Sequence, residues 1–119
     1  MLNKVMIIGN LGRDPEMRYT ANGKAVTSFS VAVNMGKDQT EWFNVVAWEK
    51  LAETCGQYLE KGKRVYCEGR LATRSWEAPD KTKKYRTELV AHQVIFLSER
   101  GRQSDFEGED IELDDLPFD

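Results

Sequence analysis

Two strand-like runs flanking a single helical run hold all three tryptophans of this chain, and their alternation constrains the fold more than any other feature. In Thr40 to Trp48 a side-chain period of two puts Trp42 and Trp48 on one face, and Phe43, Val45 and Ala47 on the other. In Arg64 to Trp76 it puts Tyr66, Arg70, Arg74 and Trp76 together, opposite Val65, Cys67, Gly69 and Leu71. The second strand therefore buries small apolar groups and turns cationic and aromatic groups to solvent. Large exposed rings add nothing to the stability of a soluble monomer, so this face reads as a ligand platform. Flat π-faces beside guanidinium groups suit stacked bases and the phosphates between them. A core tryptophan with a satisfied indole N–H would account for one such ring, but less well for three aromatics that share parity with two arginines.

The rest of the chain supplies further strands. Leu2 to Gly9 reads as a first strand with apolar residues on both faces toward its end, which suggests burial on both sides in a closed barrel or a subunit interface. Gly9 to Pro15 is turn chemistry without dinucleotide-binding glycine spacing. Asn22-Gly23 supplies the positive φ values of a tight hairpin turn. In Ala25 to Val33, Thr27, Phe29, Val31 and Val33 alternate with Ser28, Ser30 and Ala32, and that small face leaves room for something to lie across it. Glu49 to Lys61 is the one convincing helix, with Leu51, Ala52, Cys55, Tyr58 and Leu59 on its apolar side and Gly62 ending it. Lys61 and Lys63 near its end either complement the helix dipole or contact phosphate. Glu77 to Lys84 is a polar hairpin loop, and Tyr85 to Leu97 is the returning strand. Five strands with one helix between the third and fourth match a mainly β, Greek-key barrel of the oligonucleotide-binding (OB) type. An open sheet of the same strands would leave two edges unprotected.

The net charge of −3 averages two unlike segments. Residues 98–119 carry two Lys+Arg and nine Asp+Glu, which leaves fifteen and eleven in residues 1–97, a body of +4 joined to a tail of −7. A basic body points to polyanions, and an acidic appendage to a regulatory or recruiting tail. Few apolar groups and much charge make residues 98–119 read as disordered. The division expected is therefore a folded domain over 1–97 and an acidic tail over 98–119. No apolar run approaches the roughly 20 residues of a spanning helix, and Val5 to Ile8 is too short for a signal-peptide core. With two cysteines that lack CxxC spacing and read as buried free thiols, this favours the cytoplasm and no membrane.

Several motifs resemble one family. Gly9-Asn10-Leu11-Gly12-Arg13-Asp14-Pro15-Glu16-Met17-Arg18-Tyr19, Thr40-Glu41-Trp42, Lys50-Leu51-Ala52, Tyr58-Leu59-Glu60-Lys61-Gly62, Val65-Tyr66-Cys67-Glu68-Gly69 and, near the end, Asp114-Asp115-Leu116-Pro117-Phe118 are similar to stretches of the bacterial single-stranded DNA-binding proteins. The resemblance covers residues 1–97 and the final few. It implies a homotetramer that coats single-stranded DNA in replication, recombination and repair, and that recruits partner proteins through its C-terminal tip. It also implies that Trp42, Trp48 and Trp76 stack bases and that Arg18, Lys50, Lys61 and Arg74 line the DNA path; Arg70 joins them by its parity with Arg74. Asp114, Asp115, Leu116, Pro117 and Phe118 would form the partner-binding tip. The chain departs from the family pattern in three places. The Asn34 to Gln39 loop lacks an additional Trp, Asn44 and Ala72 stand where some members have arginine, and Asp119 follows the Phe at which members commonly end.

An enzyme requires a clustered acid, base, nucleophile or metal. The chain has a single histidine, His92, set between Val90 and Val94 and read as structural, and no calcium-loop pattern among the tail carboxylates. Neither catalysis nor a cofactor or metal is expected. The competing readings are an RNA-binding module on the same barrel and a protein-interaction adaptor, since bases of RNA stack equally well and Trp beside Arg also suits protein hot spots.

Overall fold

The computed structural model describes residues 1–97, so the expected disorder of residues 98–119 and the partner-binding tip at Asp114 to Phe118 lie outside the described residues. Six strands and one helix follow in the order β1 (Val5–Leu11), β2 (Glu16–Tyr19), β3 (Ala25–Asn34), β4 (Thr40–Trp48), α1 (Glu49–Tyr58), β5 (Arg64–Glu77) and β6 (Lys83–Phe96). Pairing runs β1-β5-β6-β4-β3-β2, and a further β1–β3 contact at Asn10↔Ala32 and Leu11↔Val31 closes β1, β5, β6, β4 and β3 into a five-stranded ring. Every pairing is antiparallel except a two-residue parallel step of β4 on β6, Val45↔Leu89 and Val46↔Val90. This is the Greek-key OB barrel, with its helix between the third and fourth strands of the ring.

The inward positions are those that alternation selects. Val31, Val45, Val65, Cys67 and Leu89 are essentially inaccessible, and Ile7, Phe29 and Ala47 join them. Burying each larger aliphatic side chain contributes about 1.5–3 kcal/mol. α1 closes the barrel with Ala52 and Cys55, and Leu59 follows from the turn beyond it. It is held by a buried hydrogen bond of 2.6 Å from the Thr27 hydroxyl to the Ala52 carbonyl, which satisfies the one hydroxyl on an otherwise apolar strand face.

The structure differs from the sequence expectation in several places, among them Tyr58, placed on the apolar side of the helix but 58% exposed, and Gly9 to Leu11, read as a turn but part of β1. β1 begins at Val5, because backbone pairing with β5 starts at Val5↔Gly69, and upstream of it the Asn3 side chain takes over, accepting from the Leu71 N–H at 3.0 Å and donating to its carbonyl at 2.9 Å. β2 is an additional short strand paired with Ala25 to Ser28, an arm on the ring and not a member of it. At the Asn22-Gly23 turn only Gly23 takes positive φ, +84°. The Gly23 N–H bonds the Thr20 carbonyl and the Thr20 N–H bonds the Lys24 carbonyl, which makes a three-residue loop with glycine in its left-handed position. The helix stops at Tyr58, with Leu59 already extended, so no lysine sits in its last turn. Leu71, read as inward, is 43% exposed although its cross-strand partner Leu89 is buried at the β4 closure, because the pairing of β5 with β1 reaches only to Gly69 and no β1 residue covers Leu71.

β6 explains its own apparently two-sided apolar pattern. A register shift opposite Glu68/Gly69 leaves His92 as the extra residue, so Leu89 and Ala91 point inward before it and Val94 after it. Met6, Ile8 and Ile95 remain exposed beside half-buried Tyr66 on one outer face of β1, β5 and β6.

Candidate nucleic-acid interface

On the sheet face turned away from the core, β2, β3, β4 and the β5–β6 ribbon surround an open groove of about 970 Å³. Small side chains leave this space: Ser28 and Ser30 from β3, Asn44 from β4 and Ala72 from β5. Arg13 and Arg18 line it from the β2 side, and Arg74 and Arg86 from the ribbon, while Asp14, Glu16 and Glu88 supply carboxylates. Trp48, at the end of β4, also lines it.

All three indoles are substantially exposed, 58% at Trp42, 42% at Trp48 and 40% at Trp76. Each is held against something specific or ends an element. Trp42 lies over Gly12, so closely that a Cβ there would stand 2.5 Å from Cζ3 and 2.8 Å from Cη2. Trp76 carries the Arg74 guanidinium 5.1 Å from its ring centroid, within cation–π range. Trp48 is the last residue of β4 and the N-terminal boundary of α1.

Charge in the groove is organised around Glu88, which is 8% exposed. It accepts a hydrogen bond from Arg74 Nε at 3.1 Å and faces Arg86 Nε at 3.8 Å. Arg86 also donates to the Asn44 side-chain oxygen at 3.0 Å. Cationic groups, rings and a small-residue floor make a surface able to stack flat aromatic ligands and pair with anions along a strand-like path.

A family model described as the single-strand binding protein family matches residues 2–97. The chain belongs to that family. It is 51% identical over 106 residues to the single-stranded DNA-binding protein 1 of Chlorobaculum tepidum, covering 81% of this chain and 65% of that protein. It is 43% identical over 111 residues to a single-stranded DNA-binding protein of Neisseria meningitidis, covering 87% and 64% respectively. The chain thus spans about 65% of the length of the first of these relatives and 64% of the second. Among solved structures it is similar to the Plasmodium falciparum SSB complex with ssDNA, with a TM-score of 0.75 and 31% identity over 82% of this chain and 97% of that one.

Of the residues singled out by sequence as family-type contacts, Arg18, Trp48 and Arg74 line the groove. Trp42 and Trp76 stand exposed on strands that build it, outside its immediate lining. Arg70 is exposed on β5 opposite Val90. Lys50 is exposed in the first turn of α1, and Lys61 is exposed in the turn after the helix, where its backbone N–H bonds Asp14 Oδ1 at 2.8 Å; none of these three lines the groove. Sequence reading missed Arg13, Arg86 and Glu88. Arg86 becomes visible only through the register Arg74↔Arg86, which places it directly across from a residue already selected.

Among the described residues no cluster of three His, Cys, Asp or Glu side chains is placed to hold a metal ion. Burial pushes the Cys55 thiol up to about 11 and the Cys67 thiol up to about 12, so both stay protonated at neutral pH. The Glu68 carboxyl is held below its ordinary value, first by the Tyr66 hydroxyl that donates to it at 2.6 Å and then by Lys4 at 3.1 Å. Among the described residues no helix is long and apolar enough to cross a membrane.

Proposed function

We propose that this protein binds single-stranded DNA without regard to sequence, stacking bases on Trp42, Trp48 and Trp76 and pairing phosphates with Arg18, Arg70, Arg74, Lys50 and Lys61. The observation that carries the reading is the arginine-lined groove floored by small residues, with exposed indoles around it, on a barrel of the single-strand binding protein family. The name of the Plasmodium falciparum relative, a complex with ssDNA, and the names of the bacterial relatives point the same way. Residues 1–97 form the DNA-binding and oligomerising part. The outer face of Met6, Ile8 and Ile95 leaves apolar area that a symmetric homotetramer would cover.

In this reading the acidic segment 98–119 recruits replication, recombination and repair proteins through Asp114, Asp115, Leu116, Pro117 and Phe118, whose mixed acidic and apolar groups suit a basic-rimmed hydrophobic pocket. The protein works in the cytoplasm as a binding protein, not a catalyst. Titration with equal-length poly(dT), poly(rU) and duplex DNA tests the core claim. Tight binding to poly(dT), quenched indole fluorescence and little affinity for duplex are the expected outcome. Preference for poly(rU) would make it an RNA module, and indifference to all three polymers would make it a protein adaptor.

A further inference from the structure

A buried carboxylate is a costly neighbour for DNA, since Glu88 is 8% exposed and lines the same groove as four arginines. Its geometry accounts for its presence. Arg74 and Arg86 are direct cross-strand partners, and like charges so placed repel. Glu88, two residues along β6 from Arg86, holds one guanidinium through Oε1 at 3.1 Å and attracts the other through Oε2 at 3.8 Å. Asn44, on the neighbouring strand, accepts a hydrogen bond from Arg86 at 3.0 Å, and the Trp76 ring supports Arg74 at 5.1 Å. The two side chains nevertheless stay 53% and 47% exposed, which leaves much of each five-donor fork open to an incoming anion.

We propose that Arg86 is a further phosphate-contacting residue of the groove, and that Glu88 is the positioning residue that sets Arg86 and Arg74 side by side as a two-arginine clamp for the backbone of single-stranded nucleic acid. The inference rests on the function proposed above and adds to it a residue that neither the periodicity nor the family resemblance selected. It also gives Asn44 a role. The guanidinium absent from position 44 is delivered to the same place from β6.

The test uses the full chain and a labelled dT oligonucleotide, titrated at several salt concentrations. Arg86→Ala removes one cation that neutralises a phosphate, so the log–log salt slope should shrink by roughly 0.7, equivalent to about fivefold weaker binding at 0.1 M salt relative to 1 M. Glu88→Gln gives a test of sign. It withdraws a negative charge from the groove, so charge alone predicts tighter binding. Its amide has a single acceptor oxygen and an NH₂ that repels a guanidinium, so it holds only one of the two arginines, and positioning predicts weaker binding at every salt concentration. With Arg86 already replaced, Glu88→Gln should cost less than it does alone. If the parent chain does not bind the oligonucleotide, the functional reading fails. If the parent binds, while Arg86→Ala keeps the parent slope or Glu88→Gln binds tighter, this inference is overturned. Should Glu88→Gln unfold, the Arg86→Ala slope decides alone.

Discussion

Gly12→Ala should weaken single-stranded DNA binding while leaving the fold intact. The new Cβ would stand 2.5 Å and 2.8 Å from two carbons of the Trp42 six-membered ring, against an ordinary carbon–carbon contact of about 3.5–4.0 Å. The indole must therefore move by roughly 1 Å or more to restore contact distance. Trp42 is 58% exposed and can swing outward. Gly12 is not among the residues in left-handed backbone, so alanine adds no φ strain. Unfolding free energy should change little, as for surface substitutions generally, which stay within about 0.5 kcal/mol. A misplaced ring forfeits much of a base stack, which is worth about 1–3 kcal/mol. That corresponds to roughly 5- to 150-fold in affinity for Trp42→Ala, with Gly12→Ala approaching it. Anisotropy titration of dT oligonucleotides should show the double variant binding like Trp42→Ala alone, with a salt slope equal to the parent's because no charge is lost. Parent-like binding by Gly12→Ala beside weak binding by Trp42→Ala, or losses that simply add in the double variant, would refute the reasoning.

Three further outcomes are expected. Leu89→Ala, at a position 1% exposed beside the parallel closure of the ring, should cost about 2–5 kcal/mol in denaturant unfolding. Burial raises both thiols above the ordinary cysteine value of 9.0, so their contribution is fully present below pH 9 and is lost as pH climbs through about 11 and about 12. At pH 10 each should subtract about 1 kcal/mol relative to pH 8, and a thiol reagent at pH 8 should find two cysteines only after denaturation. If the exposed face of Met6, Ile8 and Ile95 joins copies of the chain, Ile8→Glu should lower the assembly state in sedimentation without unfolding the barrel; a parent that sediments as a monomer, or an unchanged mass in the variant, would refute this.

Much of this was legible because alternation in β3, β4 and the first half of β5 is enforced by one buried face. Val31, Val45, Val65 and Cys67 could not be moved to the other parity without exposing the core. β2 was not legible, since Glu16 to Tyr19 are all exposed and no buried face imprints a pattern on them. The helix end was misread because Leu59 serves the barrel core from extended backbone, 6% exposed, while its place in the sequence also fits helical spacing. Arg86 and Glu88 escaped because their meaning depends on the β5–β6 register, which the hairpin turn sets and composition does not. Gly12 read as turn chemistry, and only the indole lying across it shows what its missing side chain is for.

The ring is sealed by residues far apart in the chain. β3–β4 and β5–β6 pair neighbours, but Val5 meets Gly69 and Val45 meets Leu89, 64 and 44 positions apart. Each of these pairings must close a long loop before its hydrogen bonds return anything, so barrel formation should be paced by the search for those contacts more than by local structure. Synthesis delivers β6 last of the seven elements. Until β6 has emerged, β4 and β5 each lack one of their two neighbours, and those unpaired edges can template pairing with another nascent chain. Arrival of β6 fills both edges at once and closes the ring.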